Sequence, residues 1–267
     1  SDMSALEVGG IPCLIRECYY APPCPKEVAT LFEVALTHHN TNNYKAAVET
    51  YINAQDLWER ELTGPYSATG ERIASPLPTE ALIFLRLAIG SVFESAANDQ
   101  QALAQYLDAM HIAMRDLPPQ HAINGTIHSA IGTVYAHLSQ FDLAADHFLK
   151  SLQLREMVLG PKHVDTGLVL NNIGCCLHCL DRTSDALQMY YKAQEIFKLH
   201  FALEHPRFLT IRRNIERAKR CYLKNSQYVM VPHKPYKAAY APGTLKSRQY
   251  MRRIGAAKAH VLVEETE

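Results

Sequence analysis

The chain has 267 residues, of which 48% are hydrophobic and 20% charged, so it is able to bury a core and is not disordered throughout. Lys and Arg number 27, and so do Asp and Glu, so the net charge favours neither nucleic acid nor a membrane as partner. No apolar run approaches the roughly 18 residues of a membrane span. The seven cysteines are too few and too irregular for a disulfide framework, which predicts a reducing, cytoplasmic setting.

The even balance of charge conceals a strong division along the chain. Residues 212–258 carry 13 Lys and Arg and one acidic residue, whereas residues 1–211 carry 14 Lys and Arg against 23 Asp and Glu. Such an asymmetry indicates either a charged partner or a basic segment that folds back on the acidic body.

The first 27 residues are predicted to form an irregular arm that lies on the first repeat. Four prolines between positions 12 and 25 disfavour a regular helix there. Cys13, Cys18 and Cys24 are separated by five and six residues, a spacing that matches no familiar zinc-binding pattern.

An internal repeat of 42 residues organises the middle of the chain. Gly90, Gly132 and Gly174 are each 42 residues apart. An alanine follows each glycine after 12 residues, and an aromatic residue follows four residues later: Ala102, Ala144 and Ala186, then Tyr106, Phe148 and Tyr190. A looser copy begins near Ala35. Paired amphipathic helices explain the pattern, because small residues let two helix backbones approach closely while large residues fill the space between units.

Four helix pairs and a last helix are predicted in chain order. The pairs lie near 28–61, 83–116, 125–158 and 167–200, and the last helix, a cap, covers 206–224. Glycines and prolines cluster between the first two pairs, so a loop is predicted from Leu62 to Pro78. A histidine recurs after the later connections and is predicted to start a helix or to pack against one: His121, His163 and His205.

The pattern Ile-Gly-x-x-Tyr followed by Ala-x-x-x-Phe resembles the tetratricopeptide repeat. The period of 42, with Gly160-Pro-Lys-His and Leu170-Asn-Asn-Ile-Gly, is similar to the longer-helix variety of kinesin light chains and related scaffolds. The resemblance covers about Val28 to Lys224. It implies an all-α, right-handed α-solenoid whose concave groove is lined by the first helix of each pair. The tryptophan typical of the family is replaced by other residues at positions 31, 86, 128 and 170.

The repeat frame assigns a set of side chains to this groove. The N-terminal part is apolar, the middle is small and polar, and the C-terminal end is basic, which suits a peptide with apolar residues at one end and acidic residues at the other. The residues expected to line the groove are Phe32, Leu36, Phe84, Leu87, Ser91, Ser129, Thr133, Asn171, Asn172, Arg213, Asn214 and Arg217. By resemblance to kinesin light chains, Asn172 and Asn214 are candidates to hold a ligand's backbone; alternatively, they bridge helices within the solenoid.

The sequence indicates no catalytic site and no cofactor. It has no phosphate-binding loop, no dinucleotide-binding glycine motif, and no Ser/His/Asp or H-E-x-x-H set. Cys175, His178 and Cys179 share a helical turn and are an alternative zinc site, although close packing also explains them. Chaperone-tail-binding family members clamp a carboxylate with Lys and Asn. Here Phe32 and Leu36 hold those positions, so chaperone tails are not expected as ligands.

The C-terminal extension, 225–267, is predicted to leave the helical pattern, and tyrosines are interleaved with its cations. Three interpretations stay open: docking on the chain's own body, binding to RNA or an anionic surface such as a microtubule or lipid, and a solvated tail. For the whole chain, the sequence predicts a non-enzymatic adaptor that binds a peptide segment. Resemblance adds a cytoskeletal, transport or ciliary assembly as the setting.

Overall fold

The computed structural model of the chain describes residues 25–66, 72–74 and 77–226. The arm up to residue 24 and the extension from residue 227 lie outside these residues, as do the predictions made for them. The described parts contain nine α-helices and two short strands. In chain order they are α1 Lys26–Asn40, α2 Tyr44–Leu62, β1 Thr63–Tyr66, β2 Arg72–Ala74, α3 Thr79–Ser95, α4 Asp99–Asp116, α5 Ala122–His137, α6 Phe141–Val158, α7 Val164–Cys179, α8 Thr183–His200 and α9 Pro206–Ser226. The predicted all-α class is confirmed.

The chain divides into two compact units, one that ends at Val134 and one that begins at Tyr135. In the first unit, α1 packs on α2, α2 on α3, and α3 on α4. In the second unit, α6 packs on α7, α7 on α8, and α8 on α9. Within each unit these helices therefore pack against the helices next to them in sequence, as the repeat predicts.

The connection between α2 and α3 differs from the predicted loop. β1 pairs with β2 in an antiparallel arrangement that places Thr63 opposite Ala74 and Tyr66 opposite Arg72. Gly64 and Pro65 follow the end of α2. The same connection contains Thr63, Tyr66 and Ile73, which are residue types that favour extended, paired backbone.

The turns inside the four helix pairs share one geometry. Each contains a non-glycine residue with a positive φ between 56° and 60°: Asn42, Ala97, Ser139 and Asp181. The backbone N–H of the next residue donates to the carbonyl five positions earlier, as from Asn98 to Phe93 (2.8 Å). This hydrogen bond is the 6→1 closure of the Schellman motif, which satisfies carbonyls at the end of the first helix.

The connections between later pairs end in the recurring histidines, and all three cap a helix. The Nδ1 of His163 accepts the N–H of Asp165 at 3.1 Å. The corresponding bonds run from Ile123 to His121 (3.4 Å) and from Arg207 to His205 (3.2 Å). Each satisfies a backbone donor of the first helical turn, so the prediction of helix-start residues is confirmed.

Gly90 and Gly174, two of the repeated glycines, lie in the interior against repeated aromatic rings. A Cβ at Gly174 would lie 2.5 Å from Cε1 of Tyr190 on α8. Gly90 stands in the same relation to Tyr106 of α4, whose hydroxyl donates to Glu94 at 2.9 Å. The absent side chains therefore make room for a fully buried tyrosine between two helices.

We expect Gly174→Ala to lower the free energy of unfolding by about 1–3 kcal/mol, because the added methyl group overlaps the Tyr190 ring. Urea denaturation measures the change. Tyr190→Leu supplies the control, since a smaller side chain should make the alanine less costly in the double variant than in the wild-type background. A Gly174→Ala variant as stable as the wild type would contradict this account of the packing.

We expect Ala97→Gly to raise the free energy of unfolding by about 0.5–1 kcal/mol, because glycine adopts the left-handed conformation without the Cβ clash. Ala104→Gly is the matched control. Ala104 is exposed in the middle of α4, where glycine should cost about 1 kcal/mol. The two urea midpoints should therefore move in opposite directions; a shift of the same sign in both would refute the assigned role of the turn.

Candidate peptide-binding face

In the first unit, the predicted groove residues divide between the interior and the partly exposed surface. Phe32 is 4% exposed, and its ring packs against those of Tyr51 and Trp58, with centroids 6.1 Å away in each case. Leu87 is buried as well. The other three side chains are partly exposed: Leu36, Phe84 and Ser91. Two of the five residues predicted to line this end of the groove are therefore in the core, and three reach the surface.

The first helices of the first two pairs also contact each other directly. Nε2 of His39 on α1 lies 2.8 Å from Oγ of Ser95 on α3. Burial lowers the pKa of His39 below its usual value of 6.5, which favours a neutral ring. The sequence analysis did not single out Ser95, since a serine at the end of a helix has no distinctive pattern.

The small polar positions of α5 lie inside the protein. Ser129 and Thr133 are 0% and 1% exposed, and the Thr133 hydroxyl donates to the Ser129 carbonyl at 3.1 Å. A hydroxyl that bonds the carbonyl one turn earlier satisfies its own donor within the helix. These two residues fill space at helix contacts and do not present hydroxyls at the surface.

In the second unit, the asparagines form a buried link between α7 and α9. The side-chain amide of Asn214 donates to Oδ1 of Asn171 at 2.9 Å and lies 3.8 Å from Sγ of Cys175. Asn171 donates in turn to Asn172, with an N–O distance of 3.4 Å. The three amides are between 0% and 3% exposed. Since buried amides need partners, this arrangement corresponds to the second alternative for these residues, the bridging of helices.

Arg217 brings positive charge to the C-terminal end of α7. Burial lowers the pKa of His178, and the charge of Arg217 lowers it further. Burial raises the pKa of Cys179, and the charge of Arg217 opposes that rise. Arg217 is half-buried. Arg213, one turn earlier on α9, is exposed. The basic end predicted from the sequence is thus present on α9, with one guanidinium near α7 and one in solvent.

Two ion pairs in the second unit had no equivalent in the sequence analysis. Arg155, 4% exposed, donates to Asp165 at 2.7 Å and so ties the end of α6 to the start of α7. Arg182 donates to Asp185 at 2.6 Å at the start of α8. The spacing of three residues in the second pair is a readable signal. The first pair spans a loop, so only the fold brings its partners together.

The described parts of the chain hold no group of three His, Cys, Asp or Glu side chains placed to bind a metal ion. Cys175 is buried and Cys179 is exposed, so the cysteines of the alternative zinc site do not share one environment. Among the helices described here, none is long and apolar enough to cross a bilayer.

Comparisons with known proteins agree with the repeat pattern. The family model of the tetratricopeptide repeat matches residues 124–198. No curated protein matches the chain in sequence. A kinesin-light-chain-like protein of Podosopora anserina with nearly identical TPR-like repeats has a similar structure, with a TM-score of 0.57 and 11% identity over 88% of this chain and 96% of its own. BtubC (BKLC) from P. vanneervenii is similar at a TM-score of 0.57 and 15% identity, over 88% and 96% of the two chains.

At these identities the structural likeness concerns the fold alone. The 42-residue period, the buried glycines against aromatic rings, the helices that pack in chain order, and the match over 124–198 all agree. The family model therefore identifies tetratricopeptide repeats within residues 124–198, and the fold of the chain is similar to that of the kinesin-light-chain-like protein of Podosopora anserina and of BtubC.

Proposed function

We propose that this chain is a non-enzymatic scaffold that binds a partner protein through a segment carrying apolar and acidic residues. The observation that carries the proposal is the position of Arg217, a half-buried guanidinium at the end of α7 next to His178 and Cys179. A partly desolvated arginine interacts with a carboxylate more strongly than one in open solvent, because the surrounding dielectric constant is lower.

The first unit has its own candidate surface for apolar residues of a partner. Leu36 on α1 and Phe84 and Ser91 on α3 are the predicted groove residues there that reach the surface. Such partly exposed side chains offer area to a ligand while their other side is anchored in the core.

The cellular setting rests on resemblance to kinesin-light-chain-like proteins. We place the scaffold in a cytoplasmic assembly of a cytoskeletal, transport or ciliary kind, with the first helices of the pairs as the binding elements. Stacked-repeat proteins with one fold bind unrelated partners, so this setting comes from the resemblance and not from the fold.

Arg217→Glu should weaken the binding of acidic peptides by about tenfold or more, because it replaces an attraction with a repulsion of similar size. The probe is an array of peptides that combine leucines with Asp or Glu, measured against the full chain by fluorescence anisotropy. Lys150→Glu, an exposed residue of α6, gives the same change in net charge and should leave binding unaltered. Equal affinity of both variants, or an array without any binder, would reject the proposal.

A second candidate function is binding to RNA or another anionic surface, favoured by the 13 Lys and Arg against one acidic residue in 212–258. The affinity of the full chain for bulk RNA should then fall steeply with salt, because neutralised phosphates release counterions. Removal of residues 225–267 should abolish this binding, measured by filter retention at several salt concentrations. Retention that is unaffected by the removal would exclude the basic extension as its cause.

A further inference from the structure

The last helix, α9, occupies the position of the first helix of a further pair. Asn214 lies 42 residues after Asn172, in register with the repeat, and its side-chain amide donates to Asn171 on α7. The side of α9 that packs on the preceding helices is apolar and buried: Phe208, Ile211, Ile215 and Ala218. The opposite side is the one that, in an earlier pair, would meet the second helix.

The earlier pair α7–α8 demonstrates how that side is normally covered. Gly167, Leu170 and Gly174 of α7 are buried, and a Cβ at Gly167 would lie 2.7 Å from the Phe197 ring of α8. The residues 42 positions later on α9 are Leu209, Arg212 and Glu216, and all three are exposed. Within the described residues, which end at 226, no helix follows α9 to cover them.

This exposed side of α9, termed here the end face, consists of Leu209, Arg212, Arg213, Glu216, Arg220 and Leu223. Leu209 is 43% exposed and Leu223 is 62% exposed. They are 14 residues apart, which corresponds to about 21 Å along a helix. The outer face of a capping repeat is normally polar, and these two leucines depart from that pattern.

The charge between the two leucines is positive and largely uncompensated. Glu216, the one acidic residue of α9, accepts from Lys219 at 3.2 Å. Arg212, Arg213 and Arg220 form no ion pair with any residue in the described parts of the chain. A partner helix with acidic residues at intervals of three or four would carry them along one side, where they can lie opposite these arginines.

We propose that the end face binds an acidic amphipathic α-helix of another protein, which lies along the side of α9 that corresponds to the α8-contacting side of α7. The chain's own continuation is a poor occupant, because residues 227–258 contain seven Lys and Arg and no acidic residue. The end face of a second copy carries the same positive charge and repels its counterpart. A helix with acidic residues along one side and leucines towards its ends complements both the charge and the spacing.

The test uses the full chain and a phage-displayed library of helix-forming peptides of 18 residues, the length of α8. Selection on the wild-type chain should enrich peptides with Asp or Glu at intervals of three and four residues and apolar residues near both ends. Their helicity, measured by circular dichroism, should rise on binding. We expect Arg212→Glu/Arg220→Glu to lower the affinity for these peptides by about tenfold or more. Arg212→Gln/Arg220→Gln should lower the affinity less.

Lys150→Glu/Lys162→Glu is the matched control, since both lysines are exposed, lie outside α9 and give the same change in net charge. This variant should bind the selected peptides as the wild type does. Thermal unfolding midpoints should coincide for all variants, because every substituted residue is exposed. The proposal is overturned if no enriched peptide depends on Arg212 and Arg220. It is also overturned if sedimentation reveals that the wild-type chain associates with itself through these two arginines.

Discussion

Close contact between a helix backbone and an aromatic ring is the constraint on which the rest of this structure depends. Gly174 and Gly90 let Tyr190 and Tyr106 lie directly against the first helix of their pairs. No other residue type leaves that space, since even the alanine methyl group would overlap the ring. The contact sets the distance between the two helices of these pairs. That distance in turn fixes where the other side chains of the first helix lie.

The depth of burial of α7 follows from this constraint. All residues from Thr166 to Leu177 are buried, on every side of the helix. Polar side chains in such a helix must find partners inside the protein, and the amides of Asn171 and Asn214 do so by bonding to each other. In the sequence, the polar side chains of these asparagines suggest contact with a ligand. In the fold, they join α7 to α9.

The charged side chains of α9 lie in different places from the buried neutral amides. The amides of Asn171, Asn172 and Asn214 are inside. The arginines of α9 remain nearer the surface, because a buried guanidinium needs a paired carboxylate, as Arg155 has in Asp165. As the last described helix, α9 has one side packed and another side open. Its arginines are therefore placed where they are able to meet a partner. Arg217 lies towards α7, and Arg212 and Arg220 lie on the end face.

Only the structure placed Tyr106 and Tyr190 against the glycines of their own helix pairs, since the sequence assigned large residues to the space between units. The sequence by itself determined the repeat and, in the described part of the chain, the number and order of the helices, because these are set by spacing along the chain. It also indicated the histidine caps, since a cap acts within a few residues of its own position. The tertiary structure decided which predicted groove residues reach the surface. Leu36 and Leu87 belong to the same predicted set, yet one is partly exposed and the other buried. That difference depends on neighbouring helices, whose distances and angles a 42-residue period does not specify.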